Sequence, residues 1–172
     1  MAELRTGLWI FPDRPVDELL QAVLDSERHG LDEFWLGDEG PAREPFSVLA
    51  AASAVTDRIR LCTGVTNPYL RHPALTASTA LTIHELSGGR VVLGVGAGGD
   101  MSLQPFGLEA VDPVSRVRSF IAIARSVAQR KACDEYQPPS YAIDEDLAGS
   151  RLTVFVGSRS EKMNRLASEV AD

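Results

Sequence analysis

Short apolar runs alternate along this chain with longer stretches in which apolar residues return every three or four positions. The runs are Thr6–Phe11 (TGLWIF), Glu33–Gly37 (EFWLG), Ile59–Val65 (IRLCTGV), Arg90–Val95 (RVVLGV) and Leu152–Gly157 (LTVFVG), and each predicts a strand. Between the first two, Val16–His29 sets Val16, Leu19, Leu20, Val23 and Leu24 on one helical face and stops at Gly30. Glu44–Thr56 predicts a second, alanine-rich helix, and His72–Leu86 a third, closed by Gly88 and Gly89. Pro113–Ala128 carries Val114, Val117, Ile121, Ala124 and Ala128 along one stripe, and Glu161–Ala171 predicts a fifth helix. Strands separated by amphipathic helices pair in parallel under those helices. Their nearly continuous apolar runs suit burial on both faces.

The pattern therefore predicts an α/β fold of about five parallel strand–helix units, in a single domain spanning residues 1–172. A closed barrel of eight such units takes about 250 residues. Five units read as the first part of a longer fold, cut short at its C-terminal side. Lys131–Ser150, rich in Pro, Asp, Glu and Tyr, predicts a surface excursion or lid.

Composition narrows the partners. With 44% apolar and 24% charged residues the chain has enough material for a core and a solvated surface. A formal net charge of −7 argues against nucleic acid and against an anionic membrane as main partner. It leaves room for a phosphate-bearing cofactor, which helix N-termini and local Arg can hold. Cys62 and Cys133 have no metal-ligand spacing, and Cys62, inside a strand, reads as a small core residue. No metal is expected. Without a secretory leader or an apolar run near 20 residues, the expected location is the cytoplasm.

Ligands of parallel α/β proteins bind at the carboxyl ends of the strands. Two ends stand out here. The third strand runs into Gly64-Val65-Thr66-Asn67-Pro68, which reads equally as an ordinary turn before a helix or as a bulge supporting a ring, with Asn67 offering its amide. The fourth ends in Gly94, Gly96, Ala97, Gly98 and Gly99. Gly94, Gly96 and Gly99 match G-x-G-x-x-G, but no long helix opens there and the strand is the fourth. A dinucleotide fingerprint is thus disfavoured against glycines that let a planar ring approach the backbone. Asp38 and Glu39 follow the second strand; such residues are often only solvated, yet at a barrel mouth a carboxylate there can orient a ring or exchange a proton. Asp100, after the fourth strand, is a third candidate. Among the histidines, His72 beside Arg71 stands nearest the expected mouth. Zinc-peptidase and serine-hydrolase motifs are missing.

Four stretches together carry a resemblance: WLGDEG (Trp35–Gly40), RIRLCTGVTNPYLRHP (Arg58–Pro73), ELSGGRVVLGVGAG (Glu85–Gly98) and LASEVAD (Leu166–Asp172). They resemble the luciferase-like flavin and deazaflavin oxidoreductases, and most of all the F420-dependent methylenetetrahydromethanopterin reductase branch. The resemblance implies a TIM-like barrel, hydride transfer between coenzyme F420 and an organic substrate, and a cis peptide at Gly64–Val65 backing the ring. It also implies cofactor contacts from Asp38, Thr66, Asn67, Gly96, Ala97, Gly98, Gly157 and Ser158. Asp38, Glu39 or Asp100 would handle protons. An FMN-dependent monooxygenase is the alternative enzyme, and a non-catalytic half-barrel that binds a ligand or assembles with another polypeptide the alternative outside enzymes. The chain departs from the family pattern at Gly99, where relatives often carry a carboxylate, at Glu39, where many have His, and in lacking the last three units. A homo-oligomer or a separate C-terminal half is the expected complement.

Overall fold

The computed structural model describes residues 4–140 and 151–172. Five strands, β1 (Gly7–Ile10), β2 (Glu33–Leu36), β3 (Arg60–Thr63), β4 (Val91–Gly96) and β5 (Thr153–Gly157), form one parallel sheet in the order β1-β2-β3-β4-β5. The connecting helices are α1 (Val16–Arg28), α2 (Pro45–Ser53), α3 (Pro73–Leu86), a single turn α4 (Asp100–Leu103) and α5 (Pro113–Gln129), with α6 (Glu161–Val170) after β5. Spatial order equals chain order, as expected of a barrel wall built one unit at a time.

The two faces of the sheet have different tasks. Phe34, Leu36, Leu61, Leu93 and Val154 belong to the core shared with Leu19 and Val23 of α1, Phe46 and Leu49 of α2, Ala77 and Ala80 of α3, Phe120 of α5 and Leu166 of α6. On the other face the register lines up Trp9, Trp35, Cys62, Val92 and Thr153 in one row. Towards the amino ends that face holds an ion pair, Arg60 Nη1 to Glu33 Oε1 at 2.6 Å, and Glu33 also accepts from Trp35 Nε1 at 2.9 Å. Cys62 is fully buried and its thiol is pushed well up by that burial, in keeping with a core role. No described helix is long and apolar enough to cross a membrane.

Element ends follow local chemistry. Glu44 caps α2 by accepting from the Phe46 and Ser47 N–H groups, and Pro45 takes the first helical position, where no N–H is needed. His72 caps α3 through Nδ1, which accepts from Ala74 N–H at 3.2 Å, again with proline next. Two differences from the sequence reading matter. β3 stops at Thr63, earlier than its apolar run, because the chain leaves the strand path at Gly64. A one-turn helix and a 3-10 turn (Gln104–Phe106) lie between β4 and α5, where the pattern predicts no element, both being too short to show periodicity. Of the Lys131–Ser150 excursion, residues 141–150 lie outside the described residues.

Candidate active site

Parallel pairing sets the carboxyl ends of β2, β3, β4 and β5 side by side, and with them Asp38, Asn67, Gly98 and Ser158, each of which follows one of these strands. The segment after β3 is held on both flanks. Gly64 N–H donates to the Leu36 carbonyl at 2.7 Å, and the Gly64 carbonyl accepts from Trp9 Nε1. The Gly64–Val65 peptide is cis. Thr66 then rejoins the sheet: its N–H donates to the Gly94 carbonyl at 2.9 Å and its carbonyl accepts from Gly96 N–H at 2.8 Å.

Asn67 is only 2% exposed. Its Oδ1 accepts from the Tyr69 and Leu70 N–H groups at 3.0 and 3.2 Å, which fixes the amide orientation. The other end, Nδ2, is buried with no hydrogen-bond partner. A buried, unsatisfied donor costs free energy and calls for an acceptor. Gly98 lies against Asn67: a Cβ on it would meet Asn67 Cβ at 3.5 Å and Leu103 Cδ1 at 3.0 Å, and its φ of +73° suits glycine.

Asp38 is half-buried, and burial pushes its carboxyl above the ordinary aspartate range. The nearby Thr66 hydroxyl and Arg71 guanidinium pull the other way, while Glu44 and Glu39 add to the rise. Arg71 itself is committed to Glu44, at 2.9 Å, and lies over the Phe46 ring. Glu39 Oε2 accepts from Ser102 Oγ at 3.0 Å, tying the loop after β2 to α4. Asp100 is exposed at the first position of that helix.

The side of Gly96 that a side chain would take faces Val65. A Cβ there would lie 2.6 Å from Val65 Cγ2, so the space it leaves is already filled by Val65. Gly157 packs on the same side chain, and Ala97 is half-buried between the two glycines of the loop. Ser158 Oγ is engaged locally, donating to the Ser160 carbonyl at 3.1 Å. The structure thus joins Asn67 to Gly98, and Val65 to Gly96 and Gly157, with Glu39 turned to Ser102 and Asp38 half-buried nearby. His72 is occupied as a helix cap. Trp9 and Ser102 were not legible as site residues; only their place one strand or one turn from the mouth could have marked them.

A cavity of about 320 Å³ lies alongside, between Pro68–Pro73 and α5, lined among others by Tyr69, His72, Arg116 and Ser119. Neither Asp38, Thr66, Asn67 nor Gly98 lines it. Among the described residues no group of three His, Cys, Asp or Glu is placed to hold a metal ion.

The chain is similar in sequence and fold to known proteins. A family model described as luciferase-like monooxygenase matches residues 3–172. The 5,10-methylenetetrahydromethanopterin reductase of Archaeoglobus fulgidus is 34% identical over 172 residues, covering 98% of this chain and 52% of the relative. An F420-dependent glucose-6-phosphate dehydrogenase of Beutenbergia cavernae is 32% identical over 175 residues, covering 92% and 51%. Among solved structures, the coenzyme F420-dependent tetrahydromethanopterin reductase of Methanopyrus kandleri superposes with a TM-score of 0.87 at 25% identity, over 99% of this chain and 55% of that one. The chain spans about half the length of the curated relatives it matches.

Proposed function

The chain belongs to the luciferase-like monooxygenase family, and from that premise we propose that it forms the cofactor-holding part of an oxidoreductase moving a hydride between coenzyme F420 and a small organic substrate. The observation that carries this reading is the buried, unpartnered Nδ2 of Asn67, set beside the positive-φ Gly98. A deazaflavin has ring carbonyls able to accept such a hydrogen bond and a flat face able to lie against backbone. The residues present fit the group.

Gly64, Val65 and Thr66 would back the ring, Asn67 would donate to it, and Gly96, Ala97 and Gly98 would border it, with Gly157 and Ser158 on the β5 side. The bound deazaflavin would supply the carbon that gives or takes the hydride, and the protein orientation and electrostatics. Asp38 is the residue suited to hold a proton, because burial keeps its carboxyl protonated to higher pH than a solvated aspartate. Glu39, held by Ser102, and exposed Asp100 are the other carboxylates at the mouth. A further polypeptide segment or a second copy would complete the barrel and the substrate side, and we place the protein in the cytoplasm.

Titration of the protein with oxidised F420, and separately with FMN, tests the reading. F420 is expected to bind and FMN to bind more weakly. Asn67→Ala should raise the F420 Kd about tenfold, since one hydrogen bond to a buried group is worth roughly 1.5 kcal/mol. Preference for FMN would point to the monooxygenase alternative. Binding of neither would point to the non-catalytic half-barrel.

A further inference from the structure

Three glycines at the ends of β4 and β5 face one side chain. Gly94 and Gly96 lie two residues apart on β4 and so share a face, and Gly157 is the register partner of Gly96 on β5. A Cβ added to Gly96 would lie 2.6 Å from Val65 Cγ2. One added to Gly94 would lie 3.1 Å from Val65 Cγ1, and one on Gly157 3.2 Å from both methyls. The isopropyl group of Val65 therefore occupies a notch that exists only because these positions have no side chain. Gly94 has two further constraints, since its Cβ would strike the Thr63 carbonyl oxygen at 2.1 Å and lie 3.0 Å from Trp35 Cζ3. For Gly96 and Gly157 the tightest neighbour is Val65.

The backbone on either side of Val65 is pinned, by the Gly64 bonds to Leu36 and Trp9 and by the two Thr66 bonds to β4. With its flanks fixed, the segment has one free variable, the volume of the side chain seated between it and the glycines. Valine is branched at Cβ and stiff about χ1, so it works as a spacer of defined height. A ring lying against Gly64–Thr66 would sense that height directly.

We propose that Val65 is a positioning residue: seated in the notch of Gly94, Gly96 and Gly157, its side-chain volume sets the depth of the floor against which the cofactor ring lies. Gly96 and Gly157 then serve the seat through the side chains they lack, whatever their backbone offers the ligand. The identity of the ring rests on the deazaflavin reading above; the seat itself does not.

A double-substitution cycle on the full chain tests the seat without cofactor. Gly96→Ala should lower the melting temperature by several degrees, about 2–4 °C for each kcal/mol lost at this size. Adding Val65→Ala removes the atom that clashes, so the double variant should melt no lower than Val65→Ala alone. Additive losses would overturn the seat. F420 titration with absorbance detection then tests positioning. Val65→Ala and Val65→Leu should each bind about tenfold more weakly and shift the absorbance band of the bound deazaflavin, with the Val65→Ala protein still folded. Wild-type binding matched in Kd and band position by both variants would overturn the positioning role alone. A wild type that binds no deazaflavin would overturn the functional reading and the positioning role together, while the melting cycle still decides the seat.

Discussion

Asp38 shows how a single carboxylate can be held against the preference of the fold. Burial raises its pKa, so the folded chain binds the proton more tightly than the unfolded one. The stabilising share of that group is present at pH below the unfolded value near 3.9 and is lost as pH rises through the folded value. Above that window the group therefore weakens the protein. Asp38→Asn keeps the side chain's shape and removes the titrating group; it should melt a few degrees higher at pH 7, while any hydride-transfer turnover falls about a hundredfold, as for loss of a proton-handling group. Calorimetry beside a steady-state assay separates the two. His84 carries the opposite sign. Its Nδ1 is buried without a partner and burial lowers its pKa. The unfolded chain then takes up a proton below about pH 6.5 that the folded chain refuses, so stability falls as pH drops through that window. His84→Leu should flatten the loss between pH 7 and 5, read by urea unfolding at both values.

At the level of elements, Arg90 does work that no motif announced. It precedes β4, and its guanidinium donates to the carbonyls of Ser87, Thr56, Ile59 and Ser53 and to Thr56 Oγ1, at 2.8–3.2 Å. It thereby fastens the end of α2 and the entry to β3 onto β4. Arg90→Ala should destabilise the protein by about 2–4 kcal/mol, several carbonyls losing a charged donor at once, whereas Arg90→Lys should recover only part, since a point charge cannot serve that fork of acceptors. Chemical denaturation of the three proteins checks it. The elements themselves were legible because each strand is a short, mostly apolar run and α1 and α5 each show a stripe. Periodicity could not reveal α4, a single turn, or the early end of β3, which is decided by contacts of Gly64 with β1 and β2. In the site, Asp38, Asn67 and Gly98 were legible from their places after strands. The filling of Gly96 by Val65 was not, because the two meet only once β3 and β4 are paired.

At the scale of the whole molecule, the described residues leave the sheet two open edges, β1 and β5, and a face on which Trp9 remains 44% exposed. Unpaired edges and uncovered aromatic surface favour association. The 172-residue chain expressed by itself should therefore form dimers or larger species in light scattering. A monodisperse monomer with full F420-dependent turnover would contradict this.

The sequential strand order also governs how such a wall comes into being. Gly7 pairs with Glu33, Glu33 with Arg60 and Leu61 with Val91, so each of the first four strands meets a neighbour roughly one unit away along the chain. Val92 and Thr153 are about twice as distant. Loop closure costs grow with separation, and contacts local in sequence form first. A ribosome releasing this chain would let the first four strands assemble while synthesis continues. The fifth, bringing Gly157 and Ser158, would close after them, so the seat for Val65 is completed only after the four strands it stands on.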